Sequence, residues 1–175
     1  SSSATARRSP RAGLLRQDGC PRGGERRAAP KADAPCGMPM NDDLRNAMSR
    51  LLRASLEQIR RAHGGLVCTL DGRTVVSHAL GQPLEFNRLA AITATVLSIT
   101  GSAAREIGGQ SCGEVLLSTD GGELSMQIIN DRYGLLIIAD SSCPQGILLS
   151  NARRLASQLR QLVDQMTDRR QEAAR

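Results

Sequence analysis

Aromatic side chains are almost missing: the 175 residues include one phenylalanine, Phe86, one tyrosine, Tyr133, and no tryptophan. Ligand pockets are normally lined by such rings and single-stranded nucleic acids stack on them. The shortage therefore weighs against a small-molecule sensor and against nucleic-acid binding by the folded part. Metal-ligand patterning is absent too. Cys20, Cys36, Cys68, Cys112 and Cys143 form no CxxC pair and have no histidine at ligand spacing, so neither a zinc site nor another cofactor is expected. An odd cysteine count fits reduced thiols, and those near strands read as small buried hydrophobes. Catalytic patterning is equally thin. Cys68, Cys112 and Ser118 have no patterned base, and His63 and His78 fall on different elements with no third group to orient them, so the chain reads as no enzyme. It carries no apolar leader and no apolar run long enough to span a bilayer, which predicts a cytoplasmic protein with no membrane insertion.

Charge is unevenly spread. Over residues 1–39 eight basic groups face three acidic ones, giving +5 of the total +6 and leaving +1 for the rest. This stretch holds five of the seven prolines and few large apolar residues. It cannot bury enough surface to offset its ordering entropy, so a disordered basic tail is expected, or codons upstream of a true start at Met38 or Met40. The domain itself is expected over 40–168, with 169–175 fraying.

The first helix starts near Asn41-Asp42-Asp43, which supply a cap and negative charge at the positive end of the dipole. Leu44, Met48, Leu51, Leu52, Ser55 and Ile59 form its apolar stripe, and Gly64-Gly65 reads as its stop. LVCTL-DG-RTVVSHA then reads as a hairpin turning at Asp71-Gly72. Three strands, 113–119, 123–129 and 133–139, are separated by Asp120-Gly121-Gly122 and Asn130-Asp131-Arg132. In the middle one, Leu124, Met126 and Ile128 read as inward and Glu123, Ser125 and Gln127 as outward on a wet face. A last helix from Ile147 to about Met166 carries Leu148, Ala152, Leu155, Leu159, Leu162, Val163 and Met166 on its core stripe.

Between hairpin and strands lies NRLAAITATVLSITGSAAREI, residues 87–107, a helix expected to be capped by Asn87. Leu89, Ile92, Val96, Ile99, Ala103 and Ile107 recur at helical spacing and are expected to face the sheet. Its other faces carry small or weakly polar residues, with charge confined to Arg88, Arg105 and Glu106. A helix of that kind is usually covered on more than one side, which points to a partner chain. Gly101 costs roughly 1 kcal/mol in a helix. Either a second backbone approaches there or the glycine packs against its own sheet.

The order α-β-β-α-β-β-β-α, carried by GGLVCTLDGRTVVSHA, the small-residue helix, EVLLSTDGGELSMQIINDRYGLLIIAD and the closing amphipathic helix, resembles the Roadblock family. The resemblance covers about residues 44–166. It implies an α/β (α+β) profilin-like sandwich, a five-stranded antiparallel sheet with helices on both faces. It also implies homodimers that pair their middle helices and join sheets through the third strand. Carried onto this chain, the dimer interface is Ala90, Thr93, Ala94, Leu97, Thr100, Gly101 and Ala104 with Val115 and Leu117. Roadblock proteins serve as platforms for small Ras-like GTPases, so a non-enzymatic regulator or scaffold is implied, with itself and such a GTPase as partners. A small-molecule sensor of PAS or GAF type is the alternative. No motif fixes the GTPase-binding surface.

Overall fold

The computed structural model describes residues 42–110 and 112–173, so the tail expected over 1–39 lies outside the described residues. The elements are α1 (Asp42–Gln58), β1 (Ala62–Thr69), β2 (Thr74–Ala79), α2 (Phe86–Glu106), β3 (Glu114–Thr119), β4 (Gly122–Ile128), β5 (Tyr133–Ala139) and α3 (Gln145–Ala173). The sheet is antiparallel throughout, in the order β2-β1-β5-β4-β3. The two hairpin strands thus reach the rest of the sheet through β1 and β5, and β2 and β3 form its edges.

One face of the sheet carries α1 and α3, with Met48, Leu52, Leu56, Leu148, Leu155 and Leu159 packed over Val67, Leu135 and Ile137. The other carries α2 alone, with Ala90 and Leu97 over Leu66, Cys68, Met126 and Leu136. Period-two alternation in β1 and β5 sends one residue to each cluster in turn, which is why both strands are buried on both sides.

Local chemistry departs from the sequence reading at four places. The helix stop is Arg61, not Gly64-Gly65: Arg61 adopts φ 69, the left-handed conformation that glycine usually supplies after a helix. The glycines instead belong to β1, where a Cβ on Gly64 would stand 2.6 Å from the His78 carbonyl oxygen and one on Gly65 2.8 Å from that of Leu136. At the start of α2 the capping position falls on Glu85, with no side-chain cap. Asn87 lies inside the helix and accepts a hydrogen bond from Thr74 Oγ1 at 3.0 Å. On β4, Glu123, Ser125 and Gln127 are buried, not wet, because α3 covers that face and brings polar partners with it. Last, α3 runs on to Ala173. Nothing after Met166 breaks a helix, and its Gln, Arg, Glu and Ala residues favour one.

Candidate interaction surface

Five strands spaced about 4.8 Å apart span roughly 20 Å, about twice the width of one helix, so α2 cannot cover its face of the sheet alone. Its position follows from side-chain size. Ala90, Thr93, Ala94 and Leu97 are the buried residues of the helix, and Gly134 on β5 makes room below: a Cβ there would lie 2.9 Å from Leu97 Cδ1. Small groups on both sides bring helix and sheet close together. The stripe expected to face the sheet is turned away instead. Ile92, Ile99 and Ile107 are 44%, 63% and 87% exposed, while Leu89 and Val96 sit half-buried at the margin.

The direction of that outward stripe can be read from the helix geometry. Ala91 lies against the turn between β1 and β2, its Cα 3.1 Å from where a Cβ on Gly72 would be. Successive residues are about 100° apart around the axis. With Ala90 and Leu97 on the sheet and Ala91 toward β2, Ile99 lies half a turn from Ala90 and points straight away from the sheet with Ile92 and Ala103 beside it, and Val96 turns toward the flank opposite Ala91, above β4 and β3. There Val115 and Leu124 are half-buried and Leu117 is 39% exposed. Val96 joins Val115 and Leu124 at the margin of the same apolar cluster, with the exposed isoleucines on the outer side of the helix. That margin ends at β3, an edge strand paired on one side only, whose outer backbone groups are open to another strand.

The polar residues of α2 do little to keep this surface wet. Thr95 and Ser102 donate to the carbonyls of Ala91 and Ser98 at 2.9 and 3.1 Å, and Thr93 and Thr100 to those of Leu89 and Val96, each at 2.7 Å. Hydroxyls occupied in this way need no water, so covering them costs little. Among the described residues, and apart from the helix's own backbone, the nearest atom to a would-be Cβ on Gly101 is the Arg105 guanidinium tip at 4.0 Å, and no other element's backbone uses the space it leaves.

Charge is drawn off to the other side of the sheet. The Arg153 guanidinium grips Glu114 with two bonds of 2.7 Å, and Gln127 donates to the same carboxylate at 2.9 Å. Arg153 holds the Glu114 carboxyl below its usual range. Ser118 donates to the buried Glu123 at 2.7 Å and accepts from Gln145 at 3.0 Å, a tie between hairpin and helix. Asp140 is held low by the hydroxyl and amide of Ser142, and burial pushes the Cys68 thiol up to about 11. Among the described residues, no three His, Cys, Asp or Glu side chains converge on a metal-sized site. What the arrangement offers is a contact surface.

The Roadblock/LC7 domain family matches residues 48–139, more than half of the chain, and the protein belongs to that family. Solved structures with the same fold include the gliding protein MglB of Thermus thermophilus, at 16% identity over 72% of this chain and 95% of that one, with a TM-score of 0.66. MglB of Myxococcus xanthus is 17% identical over 73% of this chain and 96% of its own, with a TM-score of 0.67. An MglB with a tetrameric arrangement is 16% identical over 72% and 94%, again at 0.67. At such identities the likeness is one of fold. No curated protein matches the chain in sequence.

The residues expected at a dimer interface divide into three sets. Ala90, Thr93, Ala94 and Leu97 are spent on the chain's own core. Thr100, Gly101 and Ala104 are half-buried along the edge of that contact. Val115 is half-buried and Leu117 exposed on β3. Ile92, Ile99 and Ile107 face outward and not toward the sheet as expected, because a helix with two apolar stripes gives no periodic signal for which one meets the sheet. Side-chain size was the available clue: the stripe of alanine and glycine fits the closer contact.

Proposed function

We infer that the chain is a non-enzymatic, self-associating regulator or scaffold that docks a small Ras-like GTPase in a prokaryotic cytoplasm and alters its activity or location. The observation that carries this reading is the exposed isoleucine stripe of α2, beside a half-buried margin shared with β3, on a helix four of whose five hydroxyls are bonded to its own carbonyls. In the proposed assembly two α2 helices lie side by side through Ile92, Val96, Ile99 and Ala103. The β3 edges meet beside them, with Val115 and Leu117 joining the contact. Gly101, Thr100 and Ala104 remain candidates at its border, whereas the four core residues do not. Membership of a regulatory and adaptor family supports the reading. So does a tetrameric arrangement in an MglB of the same fold.

The GTPase part is tested with a Ras-like GTPase encoded beside the gene. Adding the purified chain should change its rate of GTP hydrolysis or retain it on a column bearing the chain. If turnover is unchanged and nothing is retained, the regulatory reading fails, whatever the state of self-association.

A further inference from the structure

The layer opposite α2 has a second surface of different chemistry. The helices α1 and α3 run antiparallel: Arg154 Nη2 donates to Gln58 Oε1 at 2.8 Å near one end of the seam, while Ala47 and Leu51 share a hollow with Gln161 and Gln165 toward the other. That hollow, about 520 Å³, has Leu51 and Leu162 in its floor and Arg50 on its rim. A second, of about 730 Å³, opens where α1 ends and α3 begins, between Arg60, Arg61, Pro144 and Ile147. Among the described residues, no carboxylate lines either one.

The guanidinia along this seam are short of partners. Arg53 pairs with Glu57 at 2.9 Å and Arg61 with Asp140 at 3.9 Å. Among the described residues, Arg50, Arg60 and Arg154 make no ion pair. Arg154 donates only to the neutral oxygens of Gln58 and Asn151. Ile147 is 53% exposed at the end of the seam. Recessed leucines, an exposed isoleucine and three uncompensated cations thus follow one line.

We propose that the α1–α3 seam is a docking groove for an acidic amphipathic helix of a partner protein. Charge complementarity selects the sign: carboxylates of the partner meet Arg50, Arg60 and Arg154, while the acidic residues along the seam, Glu57 and Asp140, are each paired with an arginine of their own. The apolar floor selects the form. The stretch from Ala47 to Arg60 is about 20 Å long at 1.5 Å per residue, the length of a helix of some four turns, whose leucine-like side chains reach Leu51, Leu162 and Ile147. A nucleic acid would find no ring to stack on, and a flat membrane would not reach leucines recessed between two helices. The groove lies across the sheet from α2, so it owes nothing to the self-association surface and both can be occupied together.

The test uses the full chain and a labelled peptide of about 15 residues, built from leucine and glutamate at amphipathic helical spacing. Fluorescence anisotropy should give saturable binding that weakens as salt is raised from ~0.05 to ~0.5 M. Arg50→Glu with Arg154→Glu should weaken it by at least about tenfold, and Arg60→Ala by a smaller factor. Both variants keep the basic residues 1–39, so their loss isolates the groove from the tail. All three positions are exposed, and thermal unfolding checks that the fold survives. Arg88→Glu, an exposed charge reversal on α2 across the sheet, should leave the affinity unchanged. The proposal is overturned by absent or non-saturable binding, by equal affinity in the charge-reversed variant, or by equal affinity for a leucine–lysine peptide. Tighter binding to phosphatidylserine vesicles or to a DNA duplex than to the acidic peptide overturns it as well.

Discussion

Leu97 and Ile99 stand two positions apart on α2 in opposite surroundings: the first is 2% exposed over Gly134, the second 63% exposed. Replacing Leu97 by Ala removes buried methyl groups and leaves a cavity that close-packed neighbours cannot fill, at a cost of about 2–5 kcal/mol. Replacing Ile99 by Ala removes a side chain that touches little of its own chain and should shift folding stability by no more than about 0.5 kcal/mol. Urea titration of the two variants, at concentrations low enough to keep the chains apart, measures the difference directly. Comparable losses would mean that α2 is rotated about its axis relative to the arrangement described. Arg61 illustrates the same dependence on position. It occupies left-handed backbone where a glycine would be easier, and its guanidinium bonds the Ser142 hydroxyl across the gap to α3.

At the scale of elements, the contact between α3 and the β3–β4 edge is polar where most of the interior is not. Gln145 reaches Ser118 and Glu123, Arg153 reaches Glu114, and Arg160 donates to the carbonyl of Ile129. In the buried row on β4, Glu123 is bonded by Gln145 of the helix and Ser118 of β3, and Gln127 by Glu114 of β3. Of the described buried side-chain atoms, Ser125 Oγ is left without a partner. The pH dependence follows from Glu114. Its carboxyl is lowered from 4.5 by Arg153, so the folded state binds the proton less readily than the unfolded chain does. The resulting stabilisation is present above that unfolded value and is lost as pH falls through the lower folded one. Glu114→Gln should flatten the stability profile below about pH 4.5 and leave its shape near neutral pH unaltered. A variant profile that falls through the acid range as steeply as that of the parent would assign the dependence to other carboxylates.

Much of this architecture was legible before any coordinates. Asp71-Gly72 and Asn130-Asp131-Arg132 mark their turns by chemistry that few other sequences supply, and the element order follows from them. Facing was harder to read. Periodicity finds the apolar stripes of α2 but not which of them meets the sheet, and that depended on Gly134, far away in the chain. The alternation in β4 correctly separated its two faces. It could not reveal that Gln145 and Arg153 would fold over the polar one, because their pairing spans 22 and 39 positions of sequence.

The domain built by the described residues is one sheet with unequal coats on its two faces. Two helices close one face and leave a basic seam between them, while a single narrow helix leaves the other face partly uncovered. None of the described helices is long and apolar enough to cross a membrane. Covering the isoleucines of α2 with a second copy would remove apolar area from water at about 25 cal/mol per Å². An aspartate placed among them would have to be buried unpaired, at a penalty of several kcal/mol.

Sedimentation equilibrium on the parent chain and on Ile92→Asp with Ile99→Asp therefore tests the account most directly. The parent should run at a multiple of its 18.7 kDa mass. The double variant should run at the mass of one chain, with its unfolding transition still cooperative. A parent that stays single up to high concentration, or a double variant that assembles as the parent does, would contradict it.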